Sequence, residues 1–243
     1  MNLYNQSISS IQAILEPPRS VTAPYRAEEA WPDLGTQGFL LRRDAAFELG
    51  GDGKKSVNCT CVTSTPGLVP ENSVQIVGPD LQQIHGDVSF ARIVLLEIED
   101  PGEEQKAYDA IKNLEYVRYH VFPKGYLSRT SSESNREIVR VSKEAIREGI
   151  SFEKIGNAYL RKYLEQDGVR HAKIIFAADF SRIDDLTKEA EKVSAITGTL
   201  SHILDNVTMT NCAECQLKPV CDSVEGLREM HMKQRQRDKE RFQ

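Results

Sequence analysis

The sequence predicts an α+β (mixed α/β) domain: a mixed sheet covered by helices, followed by a small C-terminal cysteine-rich metal lobe. Three observations carry this prediction. Between Phe39 and Glu99 the apolar residues fall in short runs, FLL, AFEL, VNCTCVT, VQIV and ARIVLLEI, separated by Gly-Gly, Pro-Gly and Gly-Pro-Asp breaks, as strands do. Beyond residue 103 they recur instead at steps of three and four, the period of a helix with one buried face. Three of the five cysteines then fall between positions 212 and 221.

Taken in order, Ile8, Ile11, Ile14 and Leu15 stand at helical spacing before Pro17-Pro18, so the chain opens with a docked or detachable arm. Arg19 to Gly38, with Pro24, Pro32, Gly35 and the single tryptophan, Trp31, shows no sustained period and reads as an irregular connector. The strand-rich core is expected from Phe39, with Gly50-Gly51-Asp52-Gly53 as a hairpin turn. Ala107, Ala110, Ile111, Leu114, Val117 and Val121 mark a helix over about 103–121. Pro123 to Arg136, rich in serine, reads as an exposed loop. A strand, EIVRVS, precedes helical sequence over about 142–166, with Ser142 and Ser151 as caps and Gly149 and Gly168 as terminators. VRHAKIIFAAD is the next strand, and Ile183 to Leu204 forms a further helix, broken near Gly198. The predicted units are thus 1–38, arm and connector; 39–207, core; and 208–243, cysteine segment and basic tail. The tail after Met232 carries five basic and two acidic residues without apolar spacing, the pattern of a solvated helix or frayed end, with a docking surface for an acidic partner as the alternative.

Composition narrows the function. With 31 basic and 36 acidic residues the chain carries a formal charge of -5, which argues against a general nucleic-acid binder. The longest apolar run, Ile174 to Ala178, is far short of the roughly twenty residues of a membrane span. The N-terminus lacks a basic region followed by a continuous apolar one, so no secretory signal is read and the cytoplasm is the expected compartment. No catalytic base, nucleophilic triad or phosphate loop emerges, and His85, His120, His171 and His202 stand singly.

Cys212, Cys215 and Cys221 form a C-x2-C-x5-C segment. A two-residue gap lets two thiolates reach one centre from a single turn, and a loop containing Pro219 returns the third. A [4Fe-4S] cluster and zinc both remain open. Zinc would take three cysteines and a histidine, for which His231 is a candidate. Cys59 and Cys61, two apart on a predicted strand, point to one face, either as core packing or as further ligands.

The blocks Glu48 to Gly51, Val74 to Ile84 (VQIVGPDLQQI) and Arg140 to Gly149 (RVSKEAIREG), continued by Val169 to Asp179 and the cysteine segment, resemble the middle domain of CO-methylating acetyl-CoA synthase of the carbon monoxide dehydrogenase/acetyl-CoA synthase complex. The similarity runs from about Phe39 to Cys221. In that family the cysteine segment begins a nickel-iron-sulfur site, and the resemblance places Cys212, Cys215 and Cys221 at its first three cysteines, with Cys215 as the thiolate that bridges to nickel. The sequence departs from the family in its shorter second gap, in having no fourth cysteine after Cys221, and in lacking a later Cys-Gly-Cys nickel motif. Nickel is therefore not expected, and an acyltransferase activity does not follow. The resemblance further implies coenzyme A binding by Arg129, Arg136 and Arg140, without the family's tryptophan, and carbon monoxide dehydrogenase or a corrinoid iron-sulfur protein as partner. The function it implies is that of a truncated relative, an accessory or degenerate subunit in anaerobic acetyl-CoA metabolism; a subunit completed by a partner and a zinc-stabilised binding module are the alternatives.

Overall fold

A computed structural model describes residues 2–16, 20–131, 135–205, 215–224 and 226–241. Their elements are α1 (Asn5–Ile14), β1 (Ser20–Pro24), β2 (Ala45–Leu49), β3 (Ser56–Thr63), β4 (Ser73–Val77), β5 (Phe90–Ile98), α2 (Glu104–Val117), β6 (Tyr126–Ser131), β7 (Arg136–Ser142), α3 (Lys143–Arg147), α4 (Phe152–Leu164), β8 (Val169–Ala178), α5 (Ile183–Asp205), α6 (Lys218–Ser223) and α7 (Leu227–Arg241). The fold is mixed α/β, as the sequence predicts.

The main sheet has five strands in the order β1-β4-β8-β5-β3. It is mixed: β4 with β8 and β3 with β5 are parallel, while β1 with β4 and β5 with β8 are antiparallel. Every residue of β3 and β5 is buried, which explains their nearly continuous apolar sequence. Helix α4 packs on β4 and β8; α5 packs on β3 and β5, with α1 against α5. One close approach depends on a glycine. A Cβ at Gly156 of α4 would lie 2.5 Å from a methyl of Val74, so only a bare backbone lets the helix sit this near β4. Phe152 begins α4 stacked on Phe176, with ring centroids 4.8 Å apart, and Phe90 completes the group.

A second, antiparallel sheet, β2-β7-β6, packs through β7 against β3 and β5. Ser142 and Ser151 cap α3 and α4 by accepting from the backbone N–H of Ala145 and Lys154, and Gly149 and Gly168 take positive φ just past helix ends, as expected.

Five sequence readings need correction. The connector contains β1, which adds to the edge of the main sheet, so it is not irregular throughout; α1 takes the docked form of the expected arm, burying Ile8 and Ile11. Residues 126–131 form β6, an edge strand, where a loop was expected. FLL at 39–41 is not a strand, and Phe39 is 84% exposed. The Gly50–Gly53 turn joins strands of different sheets, so it closes no hairpin. Helix α5 runs unbroken through Gly198, at which an added Cβ would meet nothing within 4 Å.

Candidate functional site

A cavity of about 480 Å³ opens beside the free edge of β6. The connector forms its opposite wall. It is fixed there by Leu34 N–H donating to the Phe122 carbonyl (2.9 Å), by the Trp31 indole N–H donating to the Lys124 carbonyl (2.7 Å), and by the Gln37 amide reaching the Ser128 carbonyl (3.4 Å). Leu34, Phe39 and Tyr119, all exposed, give the mouth an apolar rim. Arg118, Tyr126 and Ser128 lie deeper and join the cavity to a buried polar cluster.

That cluster grows from β5. Arg92 is 1% exposed, and its Nε–H donates to both oxygens of Glu137 on β7, which is 0% exposed (3.0 and 2.7 Å). Ser128 Oγ–H donates to the same carboxylate at 2.6 Å. The Arg92 guanidinium lies 4.5 Å from the ring centroid of Tyr159. Burial alone would make Arg92 a weaker base, but the Glu137 charge overrides it and holds the guanidinium above the ordinary arginine range. Arg118 donates from Nη1 to Asn58 Oδ1 at 2.6 Å. Burial raises the phenol pKa of both Tyr126 and Tyr159, keeping them protonated donors. Burial also raises the pKa of Glu115, against the pull of Arg118. Asn135, at φ 49°, pins the start of β7: its carbonyl accepts from Asn58 N–H and its amide group bonds the Ala190 carbonyl and Ser194 on α5.

Sequence reasoning missed Arg92, Arg118 and Glu137. The available signal was Arg92 itself, one of two charges, with Glu97, inside the mainly apolar run ARIVLLEI, because a strand buried on both faces carries a charge only when it is paired.

The arginines singled out from the sequence share one face of the second sheet. Register sets Leu127 opposite Arg140, Arg129 opposite Ile138 and Ser131 opposite Arg136, and cross-strand partners point the same way. Arg129 is exposed and lines the cavity, Arg136 is exposed and does not line it, and Arg140 is held by Glu48 and the Leu40 carbonyl. Arg140 is thus already neutralised.

The cysteines divide into two groups. Cys59 and Cys61 share the face of β3 turned to α1 and α5, and both are buried. Contact with Cys59, reinforced by burial, pushes the Cys61 thiol well above its ordinary value, so it stays protonated and packs as a small apolar group. Cys215 and Cys221 are half-buried, one just before α6 and one on it. Helix α6 packs against α5 and α7, and α7 carries His231, 8% exposed, into the same lobe. Cys212 lies outside the described residues. Among the described residues no three cysteine, histidine or acidic side chains are grouped to hold a metal. The donor chemistry of Cys215 and Cys221, unoxidised thiols open to solvent, nonetheless suits a thiolate-bound cluster or zinc.

The fold is that of a mixed α/β domain with a cavity beside its smaller sheet. The family model for the CO dehydrogenase/acetyl-CoA synthase complex beta subunit matches residues 37–183, more than half of the chain, and the chain belongs to that family. No curated protein matches it. The matched span holds β2 to β8 and nearly all of the cavity wall; Cys215, Cys221 and His231 follow it. No helix among the described residues is long and apolar enough to cross a membrane.

Proposed function

We propose that the chain is an accessory relative of the complex's beta subunit, bearing a [4Fe-4S] cluster on Cys212, Cys215 and Cys221 and serving anaerobic acetyl-CoA metabolism in the cytoplasm. The observation that carries this reading is that Cys215 and Cys221 are half-buried, within reach of solvent, in the lobe that follows the family-matched span and α5. Such a cluster would supply one-electron chemistry, and the three thiolates leave one iron for a further ligand. Carbon monoxide dehydrogenase or a corrinoid iron-sulfur protein is the partner this reading proposes. Zinc is the second reading, supported by the packing of α7, with its buried His231, on the helix that carries Cys221.

Metal analysis with ultraviolet-visible and EPR spectra of protein purified without oxygen tests the reading, using a Cys212→Ser, Cys215→Ser double variant as control. About four irons with sulfide, lost in the variant, is the expected result. Stoichiometric zinc in a colourless protein would replace it with the second reading, and nickel beside iron would point to catalysis.

A further inference from the structure

We propose that the cavity and the polar cluster behind it form a binding site for the oxyanion end of a small molecule, with Arg118 and Tyr126 as its donors and Arg92 as the charge behind them. Its donors are distinct from the outer-face arginines, of which Arg129 stands at the cavity rim while Arg136 and Arg140 do not line it, and the site is separate from the cysteine lobe.

Hydrogen-bond accounting motivates it. Among the described residues, Arg118 Nε, both Nη atoms of Arg92, the Asn58 amide nitrogen and the Tyr126 and Tyr159 hydroxyls are buried and have no hydrogen-bond partner. Buried polar groups are almost always paired, so a cluster of orphans marks a place where something else sits. All of these groups can donate, and for the guanidinium and amide nitrogens donation is the only possibility. The missing component must therefore be rich in acceptors.

Charge gives the same answer. Arg92 and Arg118 bring two guanidiniums; the fully buried Glu137 carboxylate answers Arg92, while the carboxyl near Arg118 is that of Glu115, whose pKa burial raises toward the neutral acid. The Glu137 carboxylate already accepts from Arg92 and Ser128, while the Asn58 oxygen is occupied by Arg118. A buried guanidinium whose N–H groups lack acceptors is costly. Water can pair the orphan donors but cannot offset their charge, whereas an oxyanion does both. Arg118 and Tyr126 both line the cavity, so their buried Nε and hydroxyl lie just behind its wall. The volume of about 480 Å³ and the apolar rim of Leu34, Phe39 and Tyr119 suit a small organic molecule with one anionic end. Carboxylate and phosphate share this chemistry.

The lone tryptophan provides a local reporter, since Trp31 donates to the carbonyl of Lys124 in the cavity wall. The full chain is titrated with inorganic phosphate and separately with benzoate while Trp31 fluorescence is followed. A saturable response to at least one is expected; phosphate alone identifies a phosphoryl end and benzoate alone a carboxylate. Arg118→Ala also breaks the Asn58 bond, so the test rests on Tyr126→Phe, which deletes a hydroxyl that has no partner to lose. Tyr126→Phe should weaken binding about tenfold while leaving the anion-free melting temperature unchanged or higher. Arg129→Ala, at the exposed rim, should change affinity by less than about twofold. No saturable response to either anion, unaltered affinity in Tyr126→Phe, or an equal loss in Arg129→Ala would each overturn the proposal.

Discussion

Cys59 and Cys61 on β3 and Cys215 and Cys221 at α6 are the same side chain in opposite settings. The first pair is sealed between the main sheet and α1 with α5, and its thiols pack. The second is half-buried in a lobe that follows the family-matched span. Both have spacings that suit a metal, Cys-x-Cys and part of C-x2-C-x5-C. Burial, which sets the availability of the thiolate, separates them where spacing does not.

The sharpest way to break this comparison is alkylation. In metal-free protein, iodoacetamide should modify Cys215 and Cys221 at least about a thousandfold faster than Cys59 and Cys61, whose exposure needs an opening close to global unfolding, about 5–15 kcal/mol. Peptide mass spectrometry over time measures the ratio, and similar rates would abolish the distinction. The core side is sharpened by Glu137→Ala. It leaves the buried Arg92 guanidinium without its carboxylate and should cost about 3–5 kcal/mol in denaturant unfolding. Gly156→Ala should also destabilise, by about 1–3 kcal/mol, because the new methyl meets Val74; in an open helix the same change stabilises. The smallest effect belongs to Tyr4→Phe. Loss of its hydroxyl contact with Thr197 (2.9 Å) should cost about 1 kcal/mol within a single melting transition, and a separate early transition would show that α1 undocks alone.

Legibility in the sequence followed burial. β3, β5 and β8 lie inside the sheet or are covered along their length, so their apolar runs announce them. β1 and β6 were missed because both are edge strands, with sequences SVTAP and YLSRTS in which polar residues face solvent and no run survives. FLL failed in the opposite direction: Phe39 and Leu40 line the cavity, and the segment pairs with no strand. The cavity itself was legible only through Arg129, because its wall joins the connector, the end of α2 and β6, which are distant in sequence. Glu137 looked like an ordinary surface charge in EIVRVS; its burial opposite Arg92 depends on how one sheet packs against another.

The order β1-β4-β8-β5-β3 also has a temporal meaning. β8 separates β4 from β5, yet it is the last strand of the sheet to be made. On a ribosome adding roughly 5–20 residues per second, β4 waits on the order of ten seconds for its parallel neighbour. Throughout that interval β4 and β5 each keep an open, apolar edge able to pair with another nascent chain. Assembly therefore depends on a late, long-range closure, making slow folding and a need for chaperone protection during synthesis properties of the strand order itself.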